Sequence, residues 1–415
     1  MRVMFLNPTG QLGGAESSLV DILASLRRAE PSWPLHLLAA SDGPLIGRVR
    51  SLGVTAEVLP FPHAIARLGE HGAAASAGSW GAGRTLRFAA RIALASASAV
   101  RYRAALRRAI AAFDPAVVHT NGLKMHVLAA WGIGSSRRPG LVWHLHDYLG
   151  TRPMTTRLLR WHHERPATVV ANSASVAADA TRALSNGTRV VTVRNGVDLD
   201  RFFSAGVRAN LDAMSGLSQA PSNIVRVGLV ATLARWKGHA TFLEAIARLP
   251  PHLPVRAYIV GDAVYQTEGS QYSLDELRQL ARSLGIADRV GFTGFVQTPE
   301  ATFRALHVVV HASTAPEPFG LVIAEAMACG RAVIVSNAGG AAEIVTPGVD
   351  ALVHAPGDAG GLAAQIATLA GDADLRARIG RAARATAERS FDRVRLAAEL
   401  VPIYRDVCER SEAAN

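Results

Sequence analysis

Short runs of apolar and β-branched residues alternate along this chain with longer stretches whose apolar positions recur at helical spacing. In the first half the runs fall at Val3–Leu6, Leu35–Ala39, Val54–Leu59, Ala116–His119, Leu141–His146, Thr168–Ala171 and Arg189–Val193, with helices expected at 15–28, 84–112, 124–132, 155–163 and 173–184. In the second half they fall at Ile224–Val230, Val255–Val260, Arg289–Thr293, Val308–His311, Ala332–Val335 and Ala351–His354, with helices expected at 238–248, 272–284, 299–305, 320–329 and 359–370. Strands that are apolar throughout and separated by helices belong to parallel sheets covered on both faces. The rhythm lapses between Gly206 and Ser222 and restarts at Ile224, so the expected fold class is α/β: two doubly wound, Rossmann-like domains facing a cleft. The expected spans are 1–200 and 222–390, with 391–415 a C-terminal helix and tail. Helices at 373–388 and 391–409 follow no new strand; they can fold back on either domain, and the first is the expected one.

Composition narrows the class. With 49% hydrophobic and 19% charged residues among 415, the chain is ordinary globular material, which excludes a disordered or fibrous protein. Two cysteines, Cys329 and Cys408, make no disulfide framework and no zinc-type spacing, so a reducing compartment and no metal are expected. The opening apolar run stops at Asn7-Pro8, too short for a signal-peptide core, and no apolar stretch approaches the ~20 residues of a spanning helix. The expected location is therefore cytoplasmic, with a peripheral contact at the inner face of the membrane as an added expectation.

Charge is unevenly placed. Residues 1–196 hold 23 Lys and Arg against 10 Asp and Glu, and residues 197–415 hold 21 against 23, so the net +11 arises wholly in the first half. Within it, residues 71–113 contain no acid but carry Arg84, Arg87, Arg91, Arg101, Arg103, Arg107 and Arg108. Arg84, Arg87 and Arg91 share one helical face. Such a stretch is either a solvated face of an Arg-rich protein or a basic surface for anionic lipid or a phosphate-bearing acceptor. Nucleic acid is not expected, because stacking aromatics are not interleaved with the arginines.

Three segments carry the candidate chemistry. The first is a strand, Gly-rich turn and helix start, Asn7-Pro8-Thr9-Gly10-Gln11-Leu12-Gly13-Gly14-Ala15-Glu16, where backbone amides can approach an anion. It is not G-x-G-x-x-G, and no P-loop motif occurs in the chain. The second, Gly228 to Gly238, ends in Arg235-Trp236-Lys237-Gly238 and sets one of only two lysines at a strand-to-helix turn, where it can hold a diphosphate. The third runs from Pro316 to Gly330. Glu317 lies on a loop after a strand, and Glu325 sits about one and a half turns into the helix that Gly320 opens. The amides of Phe319, Gly320 and Leu321 lie at the positive end of that helix. Phosphate at the helix start, sugar hydroxyls on Glu317 and ribose hydroxyls on Glu325 suit a nucleotide-sugar. Asp198-Leu199-Asp200 mimics a metal-binding D-x-D but is read as a turn, and Asp372-Ala373-Asp374 as a helix cap. His119, His126, His162 and His163 are read as packed or solvated rather than as ligands.

Together these segments resemble glycosyltransferase family 4, the retaining enzymes of the GT-B fold. Further strand ends carry the resemblance: His146-Asp147, Asn172-Ser173, Asn195-Gly196-Val197-Asp198, Val260-Gly261-Asp262, Arg289 to Val296 and Ser336 to Glu343. It implies that Glu317 contacts the donor sugar, Glu325 the ribose and Lys237 the diphosphate. Backbone at Gly13-Gly14 would face the phosphates from the other domain, and His146 would lie near the transferred sugar. The base would rest against backbone near Phe292–Val296, Phe295 included. Ala231-Thr232 stand where the family usually has Gly-Arg, which leaves Arg235 as the cation that could replace the missing arginine.

The expected function is a retaining, metal-independent glycosyltransferase with Glu317, His146 and Lys237 as its catalytic set. No cofactor is expected. The partners are a nucleotide-diphosphate sugar, UDP being the expected nucleotide, and a glycan or lipid-linked acceptor. The alternatives are a GT-B epimerase or phosphorylase, or a two-domain sugar-binding protein without chemistry.

Overall fold

The computed structural model describes residues 1–62, 82–133, 139–162, 164–184, 187–263 and 269–413, with only the backbone described for 82–97 and 413. Two compact units emerge, one formed by Met1–Val193 with Val394–Asn415 and the other by Arg194–Arg393. Each is built on a parallel sheet, as the apolar runs predict.

In the first unit, β1 (Val3–Asn7), β2 (Leu35–Ala39), β3 (Thr55–Val58), β4 (Val117–Asn121), β5 (Gly140–Leu145), β6 (Thr168–Ala171) and β7 (Val190–Thr192) lie in the order β3-β2-β1-β4-β5-β6-β7. Val3 pairs with both Leu35 and Val117. Alternate residues of β1 serve opposite faces: Val3 and Phe5 join one apolar cluster, Met4 and Leu6 another. Both faces are dry because helices cover both, which is why the strand reads as an unbroken apolar run. The second unit repeats the plan with β8 (Val225–Val230), β9 (Val255–Val260), β10 (Val290–Gly294), β11 (Val308–His311), β12 (Ala332–Ser336) and β13 (Leu352–His354), in the order β10-β9-β8-β11-β12-β13. In both sheets the order reverses beside the first strand, between β1 and β4 and between β8 and β11. Ligands of doubly wound folds bind outside the carboxyl ends of strands at such a reversal.

Most helices fall where periodicity places them. Pro44–Ser51 does not, because it is two turns long, has Gly47 in its middle and shows only Leu45, Ile46 and Val49 to the core. The second unit begins and ends in one place: Val197 donates to the Phe391 carbonyl at 2.7 Å, and Arg393 donates to the Val197 carbonyl at 3.0 Å. The helix Ala373–Ser390 stays in that unit, with Ala383 and Ala387 buried in the cluster that holds Ala326 and Met327. The last helix, Arg395–Ala413, returns to the first unit. Its Leu396, Leu400, Tyr404 and Val407 complete the cluster around Val3, Phe5 and Leu19, and Ser25 Oγ accepts from the Ala397 amide at 2.9 Å.

Because Leu400 is fully buried in that cluster, Leu400→Ala should destabilise the first unit by about 2–5 kcal/mol. The expected result in a urea titration is an earlier transition for that unit with the second unit's unchanged. A single unshifted transition would show that the last helix adds nothing to the first core.

Candidate active site

The reversal in the second sheet gathers charge. Lys237 lies on a single 3-10 turn, Arg235–Lys237, that follows β8, and Glu317 lies on the loop that follows β11. Gly238 closes the turn at φ 77°, and a Cβ there would stand 1.9 Å from the Ala312 carbonyl oxygen, so only glycine lets the two loops approach this closely. Lys237 Nζ donates to Glu317 Oε1 at 2.5 Å. On the other carboxylate oxygen, His311 Nε2 is at 2.6 Å and Ser313 Oγ donates at 2.8 Å. A carboxylate only accepts, which assigns the His311 proton to Nε2. The loop is pinned by its backbone as well, since the Gly340 amide donates to the Glu317 carbonyl at 2.7 Å.

Glu317 is 9% exposed, so this ionic cluster is almost dry. Burial alone would raise its pKa, but the Lys237 ammonium and the His311 ring outweigh that and hold the carboxyl far below its ordinary range. So acidic a group is a poor proton acceptor at neutral pH and instead offers fixed negative charge and hydrogen-bond acceptance. An ammonium has three N–H donors, and Glu317 takes one of those on Lys237. Immediately after Glu317, Gly320 (φ 90°) opens the helix Leu321–Ala328, and among the described residues the amides of Phe319, Gly320 and Leu321 find no acceptor. Donors at a helix start favour an anion. The Phe319 side chain points inward, edge-on to Phe391 with ring centroids 6.0 Å apart. Glu325 is half-buried on the same helix, and Phe295, 67% exposed just past β10, presents its ring to solvent.

Arg235 is occupied elsewhere. Its guanidinium donates to Glu276 Oε1 at 2.7 Å and to the Gly269 carbonyl at 3.1 Å, and it lies over the Tyr272 ring. His311 and Ser313 were not among the residues singled out from sequence. A histidine closing the strand, followed by serine and then glutamate, was the available signal, but periodicity absorbs that histidine into the strand.

The reversal in the first sheet gathers mostly uncharged polar groups instead, around the carboxyl of Glu16. Asn121 Nδ2 donates to Asn7 Oδ1 at 2.7 Å, which leaves Asn121 Oδ1 to accept from His146 Nε2 at 2.5 Å. Asn7 Nδ2 in turn reaches Glu16 Oε1 at 3.4 Å, and Glu16 Oε2 accepts from the Gly13 amide at 3.1 Å, closing a capping box at the start of Gly14–Ala29. Burial pushes the Glu16 carboxyl up. Behind His146 stands His144, ring centroids 4.2 Å apart. His144 meets His119 at 3.2 Å, and His119 meets the Tyr404 hydroxyl at 2.7 Å. Burial lowers His146 to about 4 and His119, with help from His146, to about 3. These rings are neutral at pH 7.

The remaining sequence expectations fall out as follows. Asp198 Oδ1 accepts from the amides of Asp200 and Arg201, and its other oxygen pairs with Arg393 at 2.8 Å, so this D-x-D is a turn. Asp372 caps Ala373–Ser390 through the Leu375 amide at 2.8 Å. His126 is buried against Thr120, His162 is half-buried, and His163 lies outside the described residues. Arg101, Arg107 and Arg108 are exposed on the helix Ala82–Phe113, whereas Arg103 bonds to the Trp131 carbonyl at 2.9 Å and covers that ring. The side chains of Arg84, Arg87 and Arg91 lie outside the described residues.

Comparison with known proteins agrees with this layout. Residues 12–201 match the model for "Glycosyltransferase Family 4" and residues 218–386 that for "Glycosyl transferases group 1", one per unit and in chain order. The chain belongs to glycosyltransferase family 4. A structure of Anabaena HepE in complex with UDP-glucose superposes with TM-score 0.76 at 28% identity, covering 97% of this chain and 99% of that one. The fold is accordingly GT-B, as expected for family 4. Among curated relatives, N-acetyl-alpha-D-glucosaminyl L-malate synthase of Bacillus anthracis is 27% identical over 62% of this chain and 65% of its own length. D-inositol 3-phosphate glycosyltransferase of Streptomyces scabiei is 35% identical over 57% and 53%. The chain thus spans roughly half to two thirds of the length of these relatives.

The depressed imidazoles set a pH dependence of stability. His146, His239 and His307 titrate near 4 and His119 near 3 when folded, against 6.5 ordinarily. Between those values the unfolded chain binds protons that the folded chain refuses, so stability present above pH 6.5 is lost as pH falls towards 4. Glu317, held low, loses stability in the same direction below the ordinary carboxylate range. Scanning calorimetry should show a melting temperature that declines from pH 7 to pH 4.5; a flat profile would contradict the buried neutral assignments.

Proposed function

We propose that this family 4 protein is a retaining, metal-independent glycosyltransferase that moves a sugar from a nucleotide-diphosphate sugar, with UDP as the nucleotide, to a glycan or lipid-linked acceptor. The observation that carries the reading is the Lys237–Glu317–His311 cluster at the second sheet's reversal, directly before a helix start with unpaired amides. The UDP-glucose complex of HepE, similar along nearly the whole chain, supports the choice of donor.

Breaking a sugar–phosphate bond separates charge, so stabilising the departing diphosphate is the main task. Lys237 retains two N–H donors for it, and the amides at Phe319–Leu321 add a positive end. Glu317, held in place by three donors, would accept from a sugar hydroxyl, and Glu325 from the ribose. Neither the acidity of Glu317 nor its neighbours suit a nucleophile, which favours departure and attack on one face of the sugar. On the first unit, His146 is neutral with Nε2 committed to Asn121, which leaves Nδ1 as an acceptor.

The acceptor side is proposed from surface chemistry. The helix Pro153–Trp161 exposes Met154 (76%), Leu158 (50%) and Trp161 (85%) together with Arg157. Exposed Arg101, Arg107 and Arg108 add charge on the same unit. Apolar anchors flanked by arginine suit an anionic bilayer, where a lipid-linked acceptor resides. Among the described residues no helix is long and apolar enough to cross a membrane, so the proposed contact is peripheral. Two unbridged thiols, Cys329 and Cys408, fit the cytoplasmic face.

Lys237→Ala should lower UDP-sugar turnover by about 10²–10³-fold, and Glu317→Gln should lower it with less loss of UDP affinity. Product anomers read by NMR should keep the donor's configuration, with EDTA without effect. Full turnover in both variants would remove Lys237 and Glu317 from the chemistry, UDP-sugar binding with no turnover in the unaltered chain would favour the sugar-binding alternative, and a trapped glycosyl–enzyme would overturn the same-face route. Co-sedimentation with phosphatidylglycerol vesicles should weaken on combining Met154→Ser, Leu158→Ser and Trp161→Ser, and above about 0.5 M salt. Binding indifferent to both would remove the membrane contact.

A further inference from the structure

At the amino ends of β11 and β12, the edge of the second sheet opposite the Lys237–Glu317 cluster, lies a cavity of about 500 Å³. Ala332, at the start of β12, and His307, just before β11, form its sheet side, and the helix Ala373–Ser390 forms its other wall. The charge is one-sided. Arg331, Arg376, Arg381 and Arg384 line it against a single carboxylate, Glu388, which is already bound to Arg384 at 2.6 Å.

Part of this arginine chemistry is structural. Arg331 Nε donates to the Cys329 carbonyl at 2.9 Å, Arg384 to that of Phe202 at 2.9 Å and to Ala328, and Arg376 to Leu369, so three helix or loop ends are capped. Capping uses no more than three of the five N–H donors on each guanidinium and neutralises none of the charge. Arg381 caps nothing: among the described residues it makes no hydrogen bond or ion pair, and it is exposed.

His307 adds a directed donor. Its Nδ1 accepts the Arg226 amide at 2.9 Å, so the ring proton is on Nε2. Burial, with Arg376, Arg226, Arg331 and Arg208 around it, lowers the ring to about 4, so it is a neutral N–H donor among guanidinium groups, of which Arg226 is paired with Asp212 at 3.5 Å. The wall is closely built as well. Gly380 sits where a Cβ would be 2.6 Å from the Gly330 carbonyl oxygen, which brings the helix backbone directly against the turn that ends Leu321–Ala328.

We propose that this cavity is a second ligand site, separate from the donor site, that binds a small phosphomonoester such as a sugar phosphate. Forked guanidinium groups match the oxygens of a phosphate dianion, and the volume falls within the range of small-molecule sites. The four residues from His307 to His311 put the two sites about 13 Å apart along the strand. One ligand could therefore bind without displacing the other.

The test is calorimetric titration of the full chain with glucose 6-phosphate, inorganic phosphate and glucose, repeated on Arg381→Ala and Arg381→Glu. Arg381 has no partner to lose, so both variants should fold, with melting temperatures near the parent's. The expected result is millimolar or tighter binding of glucose 6-phosphate, weaker binding of inorganic phosphate and none of glucose, with at least about tenfold loss in Arg381→Glu. No binding of glucose 6-phosphate at about 10 mM, binding of inorganic phosphate alone, or binding unchanged in both variants would overturn the proposal.

Discussion

Removing a carboxylate from water is costly unless donors meet it, and Glu317 is met by three. That requirement organises the carboxyl edge of the second unit's sheet. Lys237 must arrive from the loop after β8 and His311 from the end of β11, and these two strands are neighbours only because the sheet reverses its order between them. The turn carrying Lys237 can come close enough only with glycine at 238, since any side chain would meet the Ala312 carbonyl. An ion pair this dry has its donors fixed in place by one another, so little reorganisation would accompany charge developing beside it.

The first unit meets the same topological problem with amides and imidazoles around a single carboxylate, Glu16. Its reversal brings Asn7 and Asn121 together, and the directions of their hydrogen bonds run consistently from His146 to Asn121, Asn7 and Glu16. Neutral rings behind them extend the network to Tyr404, a residue nearly three hundred positions away that belongs to the last helix. A satisfied buried polar chain of this kind rigidifies what it connects. It also ties the final helix to the first sheet by more than apolar contact. One sheet edge thus centres on an ion pair and the other on amides and neutral imidazoles.

Much of this was legible from residue order. Each expected strand is present, because buried parallel strands must be apolar on both faces and so stand out from their surroundings. Glu317 and Lys237 were named from glycines and prolines that restrict the backbone around them. Arg235 illustrates the limit. Spacing places it two residues before Lys237, yet Glu276 and Tyr272, some forty residues on, hold its guanidinium. The helix Pro44–Ser51 was missed because two turns are too few for a period to show. His311 and Ser313 were missed because a polar residue ending an apolar strand looks the same whether or not a carboxylate waits beside it.

Local order along the chain determined the class of fold, the number of sheets, the loops at which ligand chemistry could occur and the family. These follow from steric and solvation rules that act over a few residues. Only the tertiary structure decided which partners those loops acquire: His311 and Ser313 on Glu317, Glu276 on Arg235, Tyr404 on His119, and four arginines around one cavity. Each of these pairings depends on strand order and on the return of a distant segment. Hydrogen bonds and ion pairs reach only a few ångströms, so which groups meet is settled by packing and cannot be read from spacing along the chain.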